Sequence, residues 1–222
     1  MNQGVHVEYK SSGKDSQKII RELEDHYKGI HYYLNFGSPL ELMVAAILSA
    51  QTRDTTVNSL TPELFKQYKS AKDYANLTEE DLIKYVKGVF YAKNKASNII
   101  KACKIIEDKH GGKVPDSMEE LIELPGIGRK TANTILINAY GIVEGIPVDT
   151  WVIKLAYRMG LSENKNPDII EKDLEKIVDK KYWNNISYIL KEHGKQICGT
   201  VPKCSSCFLK EMCPKNGVAK SE

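Results

Sequence analysis

Residues 39–48, Pro-Leu-Glu-Leu-Met-Val-Ala-Ala-Ile-Leu, constrain the fold more than any other stretch of the chain. Ser38 followed by Pro39 reads as an N-cap with proline at the first helical position. Behind it Leu40, Leu42, Met43, Val44, Ala45, Ala46, Ile47 and Leu48 are apolar nearly all round, so this helix has no face to give to water. It is too short to span a membrane, so other elements have to surround it. Periodicity supplies candidates. A helix is predicted over about 15–28, where Ile19, Ile20, Leu23 and Tyr27 fall at helical spacing. Others follow at about 54–70, 79–87, 93–109, 117–123, 129–140, 150–159, 167–178 and 182–196. Turn signals separate them at Gly88, Gly111-Gly112, Pro125-Gly126, Gly145-Ile146-Pro147 and Asn166-Pro167. Strand-like alternation is scarce and no internal repeat is evident, so the expected fold class is all-α. Residues 1 to about 14 are polar and aperiodic and read as a frayed tail.

With 222 residues and 41% apolar content, the chain suffices for one large domain or two small interlocked ones. The formal charge of +3 hides a polarised distribution. From Lys84 to Lys104 there are six lysines and no acid, and from Lys191 to Glu222 six lysines and three glutamates. These stretches carry +6 and +3, so the remaining residues carry −6. Most charge runs are solvated helix faces, but an acid-free stretch is also what phosphate contacts need. No signal-peptide core and no run of eighteen apolar residues occurs, so an intracellular protein, cytoplasmic or nucleoid, is expected.

Residues 117–140 read SMEELIELPGIGRKTANTILINAY. Ser117 and Glu120 have capping-box spacing and open a short helix. Leu124-Pro125-Gly126-Ile127-Gly128 then makes a tight turn, and a second helix opens near Arg129. This is a helix-hairpin-helix pattern. Its two glycines admit a close backbone approach, and the N-terminus of the second helix turns N–H groups and a positive dipole end toward an anion such as phosphate.

Four of the five cysteines form Cys198-x5-Cys204-x2-Cys207-x5-Cys213. Disulfide frameworks close long loops, and this cluster closes almost nothing, so it reads as metal ligation by reduced thiols. Zinc modules usually join two separated pairs, while one consecutive four-cysteine loop suits a [4Fe–4S] cluster. Cys103, on the predicted 93–109 helix, reads as a small core residue. His193 is either a group behind the metal ligands or an ordinary core histidine.

The segment LPGIGRKTAN, Val148-Asp149-Thr150 nineteen residues after Lys130, the terminal cysteine cluster and Leu48-Ser49-Ala50-Gln51 together resemble the endonuclease III family of DNA glycosylases, over about Gly37 to Pro214. The resemblance implies a bifunctional glycosylase and abasic-site lyase of base excision repair that acts on oxidised pyrimidines in double-stranded DNA, as a monomer. It implies Lys130 as nucleophile and Asp149 as its helper. Attack by an amine on the sugar C1′ expels the base and leaves a Schiff base that permits β-elimination of the 3′ phosphate. The amine has to be neutral to attack, which partial desolvation and a helix N-terminus would both favour. The resemblance further implies that Cys198, Cys204, Cys207 and Cys213 hold a [4Fe–4S] cluster, although the family commonly separates its first two cysteines by six residues. Gln51 and a residue near Tyr91 would fill the gap left by a flipped base, with Phe90 as the neighbouring alternative. Gly126, Gly128, Arg129, Lys93, Lys95, Lys203 and Lys210 are expected to meet the DNA backbone. Trp151 stands where the family often has histidine. The implied architecture is a six-helix barrel with the hairpin over 32–142, a discontinuous cluster domain of 1–31 and 143–222, and a DNA groove between them. The competing readings are a mismatch or uracil glycosylase of the same superfamily and a catalytically silent DNA-binding iron–sulfur module.

Overall fold

The computed structural model describes residues 9–11 and 13–222, so most of the expected N-terminal tail lies outside the described residues. The described residues form helices joined by turns, with no strand among them. They divide into two compact units, Tyr33–Glu144 and a second made of the residues through Tyr32 together with Gly145–Glu222. No helix among the described residues is long and apolar enough to cross a membrane.

In the unit Tyr33–Glu144 the central element is α2 (Pro39–Ser49). The Ser38 hydroxyl accepts from the Glu41 N–H at 3.2 Å, with Pro39 in the first turn. Leu42 through Leu48 are all buried. Around α2 pack α3 (Asp54–Gln67), α6 (Ala92–His110) and α8 (Arg129–Ile135), while α5 (Glu79–Tyr85) packs on α3 and α6. One helix escapes sequence periodicity, α4 (Ala71–Ala75), packed against α6. Five residues are too few for a visible period, yet Ser70 and Asp73 form a complete capping box that could have marked it. The short α7 (Met118–Ile122) leads into the hairpin. Beyond Ile135 the chain widens into a π-helical turn, Leu136–Tyr140, ended by Gly141 at φ 69°.

The second unit joins α1 (Ser16–His26) to α9 (Thr150–Arg158), α10 (Pro167–Ile177) and α11 (Ile186–Gln196). Ile19, Leu23, Val152, Leu155, Ile189 and Leu190 are at the centre of its core. The predicted helix at 182–196 starts later than expected. A 3-10 turn covers Lys180–Tyr182 and α11 begins at Ile186.

Candidate active site and metal centre

The hairpin turn is set by α7 and α8. The Ser117 hydroxyl accepts from the Glu120 N–H at 3.4 Å and donates to the Glu120 carboxylate at 2.8 Å. After α7 the Ile127 N–H donates to the Leu124 carbonyl at 3.1 Å. Gly126 sits at φ 86°, and a Cβ there would lie 3.1 Å from Asn98 Cβ and Nδ2 of α6, so only glycine suits the turn. Gly128 caps α8 in extended conformation, φ −101° and ψ 175°, and a Cβ on it would meet nothing within 4 Å. The turn therefore requires Gly126, whereas Gly128 only keeps the start of α8 open. Arg129 and Lys130 occupy the first turn, Arg129 half-buried and Lys130 exposed.

Asp149 is the N-cap of α9. Its Oδ1 accepts from Trp151 N–H at 2.8 Å and Val152 N–H at 2.9 Å, which leaves the other oxygen out of the cap. Trp151 is half-buried and lies against Gly194 of α11, where a Cβ would collide with the ring, and Lys154 Nζ stands 4.0 Å over its centroid.

Gln51 and Tyr91 share an uncommon backbone. Both have positive φ, 55° and 57° respectively, in the left-handed region that non-glycine residues seldom occupy. Gln51 is exposed, and so are Phe90 and Tyr91, at 65% and 64%. Two large rings in water are a departure from burial that a binding surface explains.

Lys95 corrects the reading of the lysine run. It is only 6% exposed, and its ammonium donates to the Leu48 carbonyl at 2.7 Å, to the Ala50 carbonyl and to Thr52 Oγ1 at 3.1 Å, so it faces inward and cannot meet a phosphate. The register of α6 carried the signal, because Lys95 heads the buried stripe Ile99, Ala102, Cys103 and Ile106 at helical spacing. Burial pushes its pKa down to about 8. Lys84 is paired with Asp81 at 2.8 Å, while Lys87, Lys93, Lys101 and Lys104 are exposed.

All four clustered cysteines line one cavity, with about 370 Å³ of empty space counted out into solvent, together with Arg158 and His193. The loop winds on short bonds, Cys198 N–H to the His193 carbonyl at 2.8 Å and Cys213 N–H to the Leu209 carbonyl at 2.9 Å. Arg158 went unnoticed in the sequence, where a chain of 28 lysines and four arginines spends one of the four here. Its Nη1 donates to the carbonyls of Cys198 at 3.0 Å and Gly199 at 2.6 Å and lies 3.4 Å from Cys198 Sγ, while Nη2 reaches the Thr200 carbonyl at 3.4 Å, so the planar guanidinium spans three successive residues of the loop. The Leu209 N–H points at Cys207 Sγ from 3.4 Å. His193 is both buried and close to the sulfurs. Its Nδ1 is 3.1 Å from the Tyr27 hydroxyl and its Nε2 3.7 Å from Cys207 Sγ, and burial lowers its pKa to about 4, so it is neutral at pH 7. Burial raises the Cys207 thiol and pushes that of Cys213 up to about 11, so a cation is needed to hold them as thiolates. Among the described residues no three His, Cys, Asp or Glu gather closely enough for one metal ion. Four thiols lining one cavity are a soft donor set of the kind that holds zinc or an iron–sulfur centre. Lys203 and Lys210 are exposed on this loop.

Residues 44–180 match the HhH-GPD superfamily of base excision DNA repair proteins. The endonuclease III of Synechocystis sp. is 38% identical over 205 residues, 92% of this chain and 94% of that protein. The chain belongs to the endonuclease III family. Among solved structures it is similar to a non-covalent endonuclease III–DNA complex, with a TM-score of 0.87, 34% identity and coverage of 93% of this chain and 96% of that one. It is likewise similar to a trapped endonuclease III–DNA covalent intermediate with an estranged adenine, with a TM-score of 0.85, 35% identity and coverage of 90% and 96%. The all-helical architecture is thus that of the endonuclease III family, and the cysteine loop lies beyond the superfamily match, which ends at residue 180.

Proposed function

We propose that this member of the endonuclease III family is a bifunctional DNA N-glycosylase and abasic-site lyase that removes oxidised pyrimidines from double-stranded DNA in base excision repair. The observation that carries the reading is the glycine turn at Gly126 from which α8 opens with the exposed Lys130 in its first turn; Asp149, held at the N-terminus of α9, supplies the carboxylate that the motif order calls for.

The Lys130 amine attacks the sugar C1′, and the C1′–N bond breaks with its electron pair going to the departing base, which takes up a proton. Ring opening leaves an iminium between Nζ and C1′. Loss of a C2′ proton then expels the 3′ phosphate with the C3′–O electron pair. Asp149, anchored through Oδ1, keeps its second oxygen for the positive charge that develops on the sugar. Gly128 keeps the start of α8 open for a phosphate, and Lys93, Lys203 and Lys210 supply charge for the backbone. Gln51 and the exposed Tyr91, beside Phe90, fill the gap left by the extruded nucleotide.

Cys198, Cys204, Cys207 and Cys213 would hold a [4Fe–4S] cluster, which would cross-link the loop bearing Lys203 and Lys210. Arg158 and the Leu209 N–H would stabilise negative charge on the Cys198 and Cys207 thiolates. Absorbance near 400 nm in the purified protein tests this assignment.

The decisive experiment is borohydride trapping on a duplex with an abasic site. The wild type forms a covalent protein–DNA adduct and Lys130→Ala forms none. An undiminished adduct with Lys130→Ala sinks the assignment, and cleavage of abasic sites without removal of thymine glycol or dihydrouracil reduces the reading to a lyase.

A further inference from the structure

Lys95 does more than fill space. Burying an ammonium with no carboxylate beside it is costly, and an apolar side chain would pack there more cheaply. What Lys95 has instead is three oxygens for three N–H donors. Two of them, the Leu48 and Ala50 carbonyls, end α2, where a cation suits the unsatisfied carbonyls and the negative end of the dipole. Ala50 and Thr52 stand on either side of Gln51.

The same lysine is tied to the other strained residue. Its backbone N–H donates to the Tyr91 carbonyl at 3.1 Å, and Thr52 Oγ1, which accepts from Lys95 Nζ, also accepts from the Phe90 N–H at 3.2 Å. The bonds close a ring that runs from Tyr91 through Lys95 to Ala50 and Thr52 and back to Phe90. Left-handed conformations at Gln51 and Tyr91 are unfavourable and persist only where the surroundings over-determine them. Lys95 is the group common to both sets of restraints.

We propose that Lys95 is a positioning residue that fastens the Gln51 turn to the Phe90–Tyr91 turn, so that the two left-handed residues enter a distorted duplex as one rigid unit. The inference rests on the reading above that Gln51 and Tyr91 fill the gap of an extruded nucleotide. It assigns Lys95 no contact with DNA and no part in the Lys130 chemistry.

The test compares a duplex carrying an abasic site with the same strand unpaired, where nothing has to be inserted. Single-turnover borohydride trapping is measured for the wild type, Lys95→Met, which keeps the volume and removes the donors, and Thr52→Val, which cuts the link to Phe90. In parallel, 2-aminopurine beside a non-cleavable tetrahydrofuran site reports unstacking by fluorescence. Loss of positioning lowers the duplex rate by about tenfold or more and abolishes the fluorescence rise, while the single-strand rate stays within about twofold. The inference is overturned if both rates fall together, or if the duplex rate and fluorescence are unchanged. Should Lys95→Met not fold, Thr52→Val decides by the same two criteria. A wild type that traps neither substrate removes the Schiff-base reading, and the tetrahydrofuran duplex still decides the role of Lys95.

Discussion

Gly126 and Gly128 stand two residues apart in one turn for different reasons. Gly126 has a positive φ and Asn98 at 3.1 Å, so Gly126→Ala is expected to cost about 1–3 kcal/mol in denaturant unfolding. Gly128→Ala is expected to cost under about 1 kcal/mol, the difference between glycine and alanine at an N-cap, and to act mainly on DNA affinity. Comparing unfolding midpoints with binding isotherms for the two variants separates these roles. Glu24 offers a pH signature. It is buried on α1, and burial raises its pKa to about 7, against the opposing pull of a Tyr182 hydrogen bond and of Lys181. With a folded pKa above the unfolded value, the native state holds the proton longer, so the stability is complete below about 4.5 and is lost as pH rises to about 7, by up to about 3 kcal/mol. Glu24→Gln should flatten that window and leave the variant the more stable protein at pH 8 in urea titrations. Neither effect is visible in a sequence, where Glu24 reads as one more acid in a charged helix.

Among the elements, α2 is the one whose place followed directly from its composition, because a helix apolar on every side can only be central. Leu48→Ala, at a fully buried position, should destabilise by about 2–5 kcal/mol in thermal or urea unfolding. A loss below 1 kcal/mol would mean that the neighbours collapse into the space. The opposite case is α6. Its lysines read as a solvated, phosphate-facing run, yet the helix turns Lys95 inward on the same stripe as Ile99 and Ile106. Charge composition says how many cations a segment has, and only the helical register says which of them reach water. The five-residue α4 and the π turn at Leu136–Tyr140 depend on packing and on Gly141 rather than on any periodic pattern.

At the scale of the whole molecule, the charge of +3 resolves into exposed lysines on two separate units. Replacing Lys93 or Lys203 by Gln should each lower the slope of log affinity against log salt by about 0.9 if that lysine neutralises one phosphate. Lys95→Met should leave the slope unchanged, since its ammonium is engaged inside the protein. Filter binding or fluorescence anisotropy between 50 and 200 mM salt, a range over which such slopes are readily measured, distinguishes them. If the cysteine loop holds the proposed cluster, oxidation and chelation are expected to strip amide protection from the segment after His193, whose bonds depend on that loop, and to leave α2 and α6 protected in hydrogen exchange.

The sequence by itself determined the all-helical class, the hairpin and the likeness to the endonuclease III family, because those rest on local signals: glycine in a turn, a capping serine, an apolar period and a motif order. The tertiary structure decided what depends on partners distant in the chain. It turned Lys95 from the solvent to the end of α2, 47 residues away. It exposed Phe90 and Tyr91 where aromatic rings are ordinarily buried, and it brought Arg158 to Cys198 and His193 to Cys207. A side chain's type is written in the sequence, but its solvent, its neutraliser and its strain are properties of the surroundings that folding assembles around it.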